Sequence, residues 1–131
     1  MANEAVCIEA PKIIVNRICA EATNIPKGTI VQISGSPNTV SASSADNDVF
    51  GGITVEEFKG GEGLTHVACA MDGAFNILTS GAITMGAIVN ISAANTVNTS
   101  AAADLLTGSV VGKTEETAGG AATTRVRLVG Y

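Results

Sequence analysis

The chain has 131 residues, a net charge of −5 and an aromatic content of only 3%, with no Trp. A chain of this length forms one domain with a modest core, which here must be built from Ile, Val, Leu and Ala. The seven basic residues are scattered, so they cannot form the continuous positive stripe of a nucleic-acid groove. No apolar run has membrane-spanning length and no signal-peptide pattern is present, so we expect a cytoplasmic origin and no membrane partner.

A ten-residue segment, called the repeated phrase below, occurs twice in the chain. Residues 25–34 and 83–92 are identical at six of ten positions, and the same succession of short motifs follows each copy: Asn-Thr-Val, Ala-Asp, a valine-rich segment and Glu-Glu-x-x-Gly-Gly. Because the order of parts is repeated and not one motif alone, the pattern predicts two β units packed about a pseudo-twofold axis.

In chain order, the first segments read as short strands. Residues 6–9 form a strand that ends before Pro11, and residues 12–22, which include three consecutive β-branched residues, form a strand or an extended arm. Residues 29–34 form the next strand, which Pro26 and Gly28 introduce through a type II-like turn with Gly28 at positive φ.

The remaining segments continue the β pattern. Residues 65–71 and 74–79 flank Asp72-Gly73 and are predicted to form a β-hairpin. Residues 100–106 have the composition of a short helical turn. The other predicted strands cover residues 50–58, 87–92, 108–114 and 124–129.

These segments predict an all-β fold with at most one or two short helices, a small barrel-like or sandwich-like domain built from two pseudo-repeated units. We divide the chain into an N-terminal arm, residues 1–24, and a single β-rich domain, residues 25–131. The repeat units within that domain are residues 25–82 and 83–131.

The most suggestive chemical motif is the glycine-rich segment at residues 108–114, which ends in Gly112-Lys113-Thr114. Only three residues separate its glycines, whereas a phosphate-binding loop requires four, and two glutamates follow where a helix N-terminus would face the anion. The segment is therefore not predicted to bind nucleotides. A carrier-type barrel is similarly disfavoured, because Asp72 stands at the hairpin tip where such a domain needs a lysine.

The other polar residues do not form a recognisable catalytic or metal-binding set. His66 is the only histidine, and residues 46–48 lack the glycine and distal glutamate of a calcium loop. Cys7, Cys19 and Cys69 are odd in number and lack the spacing of metal ligands, so we expect buried, reduced thiols. We therefore predict no catalytic residues, no cofactor and no metal, and we do not expect an enzyme.

Eight segments carry a resemblance to a known family, namely residues 8–11, 26–31, 49–55, 60–63, 67–75, 86–89, 108–112 and 123–128. In their order along the chain they resemble the capsid cement, or decoration, proteins of tailed bacteriophages. The resemblance implies a β-rich virion protein, made in the host cytoplasm, that binds the capsid exterior as a homotrimer and clamps neighbouring major capsid subunits. The segment at residues 11–24 departs from the family because it is longer than the usual connection.

The N-terminal arm is the predicted capsid-binding element. An extended segment with apolar residues can add a strand to the edge of another protein's sheet, where backbone hydrogen bonds supply affinity. The candidate contact residues are Val6, Ile8, Ile13 and Val15. The alternative is another phage structural subunit, such as a fibre, tail or adhesin-like component, because a fold does not fix a function.

Overall fold

The computed structural model describes residues 4–19, 24–100 and 108–128, and every regular element in these ranges is a β-strand. The all-β prediction is therefore confirmed. The helical turn predicted at residues 100–106 lies, beyond Ser100, outside the described residues. The strands are β1 (Val6–Glu9), β2 (Ile14–Cys19), β3 (Ile30–Ile33), β4 (Thr39–Ala42), β5 (Phe50–Thr54), β6 (His66–Ala70), β7 (Ala74–Thr79), β8 (Ile88–Ala93), β9 (Thr96–Thr99), β10 (Val110–Thr114) and β11 (Thr123–Leu128).

Strands β2 to β11 form two closed barrels with the same topology. Barrel 1 has the strand order β2-β4-β3-β5-β6, and barrel 2 has the order β7-β9-β8-β10-β11. In each barrel the first and third strands in chain order pair in parallel, and the other neighbours pair antiparallel. The duplication predicted from the repeated phrase is thus a duplication of whole barrels.

The strands divide the chain at a different place from the units read off the sequence. Strand β2, which falls within the predicted arm, pairs with β6 from Ile14 to Ile18 and is the first strand of barrel 1. Barrel 1 ends at Ala70 and barrel 2 begins at Ala74. The difference arises because the repeated phrase starts before the second strand of each barrel, whereas the first strands, β2 and β7, have diverged in sequence.

The entry to the second strand of each barrel is built by the same hydrogen bond. The amide of Gly28 donates to the carbonyl of Thr54 at 2.9 Å, and the amide of Gly86 donates to the carbonyl of Thr114 at 2.9 Å. Both glycines have positive φ, 83° and 86°, a conformation that side chains disfavour. The turn geometry predicted for Gly28 is therefore present, and it is repeated at Gly86.

The paired glutamates of each repeat also have a structural role that the sequence analysis missed. The side chain of Glu56 accepts the backbone N–H of Ala68 at 3.0 Å, and that of Glu116 accepts the N–H of Arg125 at 2.9 Å. The recurrence of the Glu-Glu pair in both copies was the sequence signal, although the first glutamate of the pair, Glu56, has this role in barrel 1 and the second, Glu116, has it in barrel 2.

The larger apolar core lies where the two barrels meet. It combines Ile30 and Phe50 of barrel 1 with Phe75, Ile91 and Val126 of barrel 2, among other residues. A second cluster, which includes Phe58 and Cys69, fills the interior of barrel 1 alone. The barrels therefore pack against each other through apolar side chains, and the surface strands described below stand on this shared core.

Asn95 links the barrels by hydrogen bonds within this junction. Its side chain is only 2% exposed. The Oδ1 atom accepts the backbone N–H of Ile30 at 2.7 Å, and Nδ2 donates to the carbonyl of Gly28 at 3.2 Å. A turn residue of barrel 2 thus satisfies backbone groups at the start of β3 in barrel 1.

The predicted hairpin at Asp72-Gly73 is not formed. Strand β6 pairs with β2 and β5 in barrel 1, whereas β7 pairs with β1, β9 and β11 on the side of barrel 2. Asp72 Oδ1 instead accepts the backbone N–H groups of Lys12 and Ile13, each at 2.8 Å. The Asp-Gly pair is therefore the connection between barrels, and it ties the start of β2 to that connection.

Candidate interaction surface

Strand β1 is docked on barrel 2 and is not part of either barrel. It pairs antiparallel with the first half of β7, with Val6 opposite Asn76 and Cys7 opposite Phe75, and a bulge lies between Cys7 and Glu9. The second half of the same β7 edge is covered by β9. Strand β1 thereby completes an edge that the barrel leaves half open.

Glu9 at the end of β1 belongs to a cluster of ion pairs on the outer face of barrel 2. Its carboxylate pairs with Arg125 and, at 2.9 Å, with Arg127. Glu115, which directly follows β10, pairs with the same two arginines at 2.7 and 2.9 Å. These side chains are 29 to 47% exposed, so the cluster acts as a partly solvated tether for the end of β1.

The cluster shifts the ionisation of its members in the direction expected for opposite charges. Hydrogen bonds from Arg127, followed by those from Arg125, lower the pKa of Glu115. The hydrogen bond from Arg127 lowers the pKa of Glu9 despite its partial desolvation. Both carboxylates therefore stay charged to a lower pH in the folded chain than in the unfolded chain.

Exposed apolar side chains gather on β1 and on the start of β2. The exposed fractions are 59% for Val6, 43% for Ile8, 56% for Ile13 and 52% for Ile14. Val15, by contrast, packs against the interior cluster of barrel 1. Three of the four predicted contact residues are therefore accessible to a partner, and Val15 is not placed on this surface; binding by any of them stays a prediction.

Within the described residues, one backbone edge of the first half of β2 has no strand partner, although the Nδ2 of Asn38 donates to the carbonyl of Asn16 there at 3.2 Å. One edge of β2 pairs with β6 along its length, but on the other edge β4 pairs only with Ile18 and Cys19. The amide of Ile18 donates to Asn38 on that second side, and strand alternation places the N–H groups of Ile14 and Asn16 on the same side. Within the described ranges no strand pairs with this half-edge, residues 14–16.

An apolar groove of about 330 Å³ lies between β1 and barrel 1. Ala5 and Cys7 line one side, Ile14 lines the other, and Phe75 contributes to the lining. Ala5 also donates its backbone N–H to the carbonyl of Gly28 at 2.8 Å, which fixes the start of β1 to barrel 1. The candidate interaction surface therefore comprises the docked strand β1, the apolar groove and the half-edge of β2 that has no strand partner among the described residues.

The residues considered for chemistry have structural explanations. Gly112 lies in β10, where a Cβ atom would be 2.1 Å from the carbonyl oxygen of Arg127, so this glycine permits close strand pairing. His66 is exposed and hydrogen-bonds Thr65 at 2.9 Å. Asp48 accepts backbone N–H groups from its own turn. Cys19 and Cys69 are buried as expected, but the expectation is wrong for Cys7, which is exposed because β1 lies outside the barrels.

In residues 4–19, 24–100 and 108–128 there is no cluster of three or more His, Cys, Asp or Glu side chains placed to hold a metal ion. The same part of the chain has no helix long and apolar enough to cross a membrane.

The fold is shared with a solved bacteriophage protein. The crystal structure of the head fiber gp8.5 N base of bacteriophage phi29 superposes with a TM-score of 0.58 and 16% sequence identity, covering 89% of this chain and 95% of that one. No protein-family model matches the chain. No curated protein sequence matches it either. At this level of identity the likeness concerns the fold.

Proposed function

We propose that this chain is a structural protein of a tailed-bacteriophage virion and that it binds the outer surface of the head shell. The observation that carries the proposal is the fold shared with the phi29 head fiber base over 89% of the chain. The exposed apolar residues of β1 and β2 supply a surface suited to protein contact, and the ion-paired Glu9 holds that surface in place.

In the first form of the proposal the protein is a cement protein. It binds across neighbouring major capsid subunits as a homotrimer and stabilises the expanded shell without enzymatic activity, cofactor, nucleic acid or membrane. Repetition by shell symmetry multiplies weak contacts into a large total effect. The role suits a chain with few aromatic anchors, because no single contact needs to be strong.

In the second form the protein is the base that attaches a fibre to the shell. This alternative is favoured by one specific observation, since the structural neighbour is described as the N base of a head fiber. A base and a cement protein share shell binding but differ in consequence. The cement protein raises the resistance of the shell, whereas the base leaves it unchanged and carries another component.

The test uses expanded shells of the phage that encodes the chain, stripped of this protein and then redecorated with it. Bare and redecorated shells are heated in parallel, and DNA release and occupancy are measured. For a cement role we expect DNA release at a higher temperature in decorated shells, because a ligand that binds only the assembled state stabilises it. Equal release temperatures at full occupancy would instead support the base.

Variants decide whether the proposed surface makes the contact. Val6→Lys places a charge on an apolar residue that is 59% exposed, and we expect lower occupancy. Met85→Lys is the matched control, because Met85 is 63% exposed on the connection between β7 and β8. No shell binding by the unmodified protein contradicts both forms of the proposal, and equal occupancy of the two variants contradicts the assigned surface.

A further inference from the structure

Strand β1 is an addition to two barrels that are closed without it. The side chains from Val6 to Glu9 are all exposed, and the apolar groove separates β1 from barrel 1. Three attachments hold β1 in place: backbone pairing with β7, the hydrogen bond from Ala5 to Gly28 and the partly solvated ion pairs of Glu9. Because no strand pair within either barrel depends on β1, its detachment is a local opening of the fold.

A hinge of two residues, Ala10 and Pro11, connects β1 to the part of the chain that is fixed on barrel 1. That part begins at residue 12, because the backbone N–H groups of Lys12 and Ile13 both donate to Asp72 Oδ1 at 2.8 Å. Proline fixes its own φ and disfavours the helical region for the residue before it, so both hinge residues favour extended backbone. The chain nevertheless bends at Lys12, directly after the hinge. A short, stiff hinge next to a bend favours the exchange of a terminal strand between copies.

We infer that β1 is an exchangeable strand, so that β1 of one copy of this chain occupies the β7 edge of a second copy and the second copy reciprocates. No group has to be unpaired beforehand, because the contacts that Ala5 and Glu9 make within one copy are broken and then made again with the other copy. The occupant is a second copy because its β1 already matches the site, with Glu9 placed to pair with Arg125 and Arg127. The inference concerns the purified protein in solution and does not rest on the virion role, so either can fail without the other.

Two exposed isoleucines next to the hinge provide a contact for the exchanged form alone. Ile13 is 56% exposed and Ile14 is 52% exposed. The three backbone steps from Glu9 to Lys12 span at most about 11 Å, so two reciprocal hinges hold the starts of β2 in the two copies within about 22 Å of each other. Isoleucine side chains that meet across this junction leave water, which favours the exchanged form. The β1–β7 contacts, by contrast, are the same in the monomer and in the dimer.

The direct experiment cross-links two versions of the full chain, neither of which can form the diagnostic link within one copy. One version carries Cys7→Ser and Val6→Cys, and the other carries Cys7→Ser and Asn76→Cys, because Val6 lies opposite Asn76 in the β1–β7 pair. The two versions are unfolded in urea together and refolded at several concentrations, so that slow opening of β1 does not limit exchange. A short thiol cross-linker is then added, and the linked peptides are identified by mass spectrometry.

We expect mixed dimers joined between positions 6 and 76, in about tenfold excess over self-linked dimers of either version, because exchange holds the two thiols together. The other two cysteines, Cys19 and Cys69, are buried and do not compete. The control uses Met85→Cys in place of Asn76→Cys, at a residue that is 63% exposed and lies outside the β1–β7 pair, and it should give no such excess. Equal yields from the two mixtures, or no mixed dimer, would overturn the inference.

Sedimentation equilibrium separates strand exchange from ordinary docking. Glu9→Gln weakens a contact that the monomer and the dimer share, so we expect the dissociation constant of the dimer to change less than about twofold. Ile13→Glu acts on the exchanged form alone, so the dissociation constant should rise about tenfold or more. Met85→Glu makes the same charge change at an exposed apolar residue and should have no effect. A loss of association in Glu9→Gln as large as that in Ile13→Glu would contradict exchange.

The hinge provides a separate test by the same measurement. Pro11→Ala gives the hinge of the monomer more freedom to bend, so we expect the dissociation constant of the dimer to rise about two- to fivefold, the effect of releasing one proline constraint. Pro37→Ala releases a proline in the exposed turn before β4 and should have no effect. Circular dichroism of each variant verifies that the barrels remain folded. A monomer at all concentrations, or equal effects of the two proline variants, would overturn the inference.

Discussion

The buried amide of Asn95 provides the sharpest test of how the two barrels are joined. In Asn95→Ala the backbone N–H of fully buried Ile30 loses an acceptor at 2.7 Å. An unsatisfied buried donor costs about 2 kcal/mol. Asn95 also has φ of 50°, a conformation that costs alanine about 1 kcal/mol more than asparagine or glycine. We therefore expect a loss of about 3 kcal/mol in the free energy of unfolding, or about 10 °C in Tm.

The repeat supplies a matched control for this substitution. Asn38 occupies the same Asn-Thr-Val motif in barrel 1 and has φ of 57°, but its side chain is exposed. Asn38→Ala should carry the same backbone cost and lose only solvent-exposed hydrogen bonds, with the Arg17 guanidinium and the Asn16 carbonyl, so we expect it to lose about 1 to 2 kcal/mol less than Asn95→Ala. Asn95→Gly removes the amide but relieves the backbone, so it should fall about 1 kcal/mol short of the full alanine effect.

The assay is urea-induced unfolding followed by circular dichroism, with Tm from thermal melts as a second measurement. The slope of the free energy against urea concentration must match between variants, since an unchanged slope shows that the same surface is exposed on unfolding. Equal losses for the alanine substitutions at Asn38 and Asn95 would refute the reasoning, because the buried amide would then contribute nothing beyond the turn.

Three other predictions concern the tether, the thiols and the first strand. The carboxylates of Glu9 and Glu115 stabilise the fold at pH values above the ordinary glutamate pKa of 4.5, because their pKa values are lowered in the folded chain. This stabilisation is lost as the pH falls through the lowered pKa values. In Glu9→Gln, the Tm measured below pH 4.5 should therefore depend less on pH than in the unmodified chain. Burial raises the pKa of the Cys69 thiol to about 12, whereas Cys7 is exposed. At pH 8 a thiol reagent should therefore modify Cys7 quickly and Cys69 only after unfolding. Equal modification rates of the two thiols would contradict the burial of Cys69. Deletion of residues 1–19 removes β1 and β2 and should abolish cooperative unfolding of barrel 1, whereas a deletion that stops at residue 9 should leave both barrels folded, as shown by retained β circular dichroism.

Local sequence patterns predicted the strands and their duplication well. The turn at Gly28 is recognisable because proline and glycine each restrict or permit particular φ values, and the matching phrase identifies Gly86 as its equivalent. The valine- and isoleucine-rich segments between turns become barrel strands because their alternating side chains fill two small interiors. The fold class follows from such short-range features.

Pairing partners were not predictable in the same way. Asp72-Gly73 has the composition of a hairpin turn, but the flanking strands bind distant partners and the aspartate caps the start of β2. The half-edge at residues 14–16 could not be predicted either, because it is defined by where the parallel strand β4 begins, at Thr39 opposite Ile18. Such features depend on contacts between residues far apart in the chain, and one sequence read alone does not specify them.

The differences between the two barrels explain why only one of them binds β1. The outer positions occupied by Arg125 and Arg127 in β11 correspond, through the strand register, to Ala68 and Ala70 in β6. The arginines hold Glu9 and thereby the end of β1, whereas the alanines offer no charge to a docked strand. The half-edge of barrel 1 is instead met by a side chain, because the Nδ2 of Asn38 donates to the carbonyl of Asn16 at 3.2 Å. Duplication followed by this divergence leaves equivalent half-edges that are covered differently, one by a strand held through ion pairs and the other in part by an asparagine side chain.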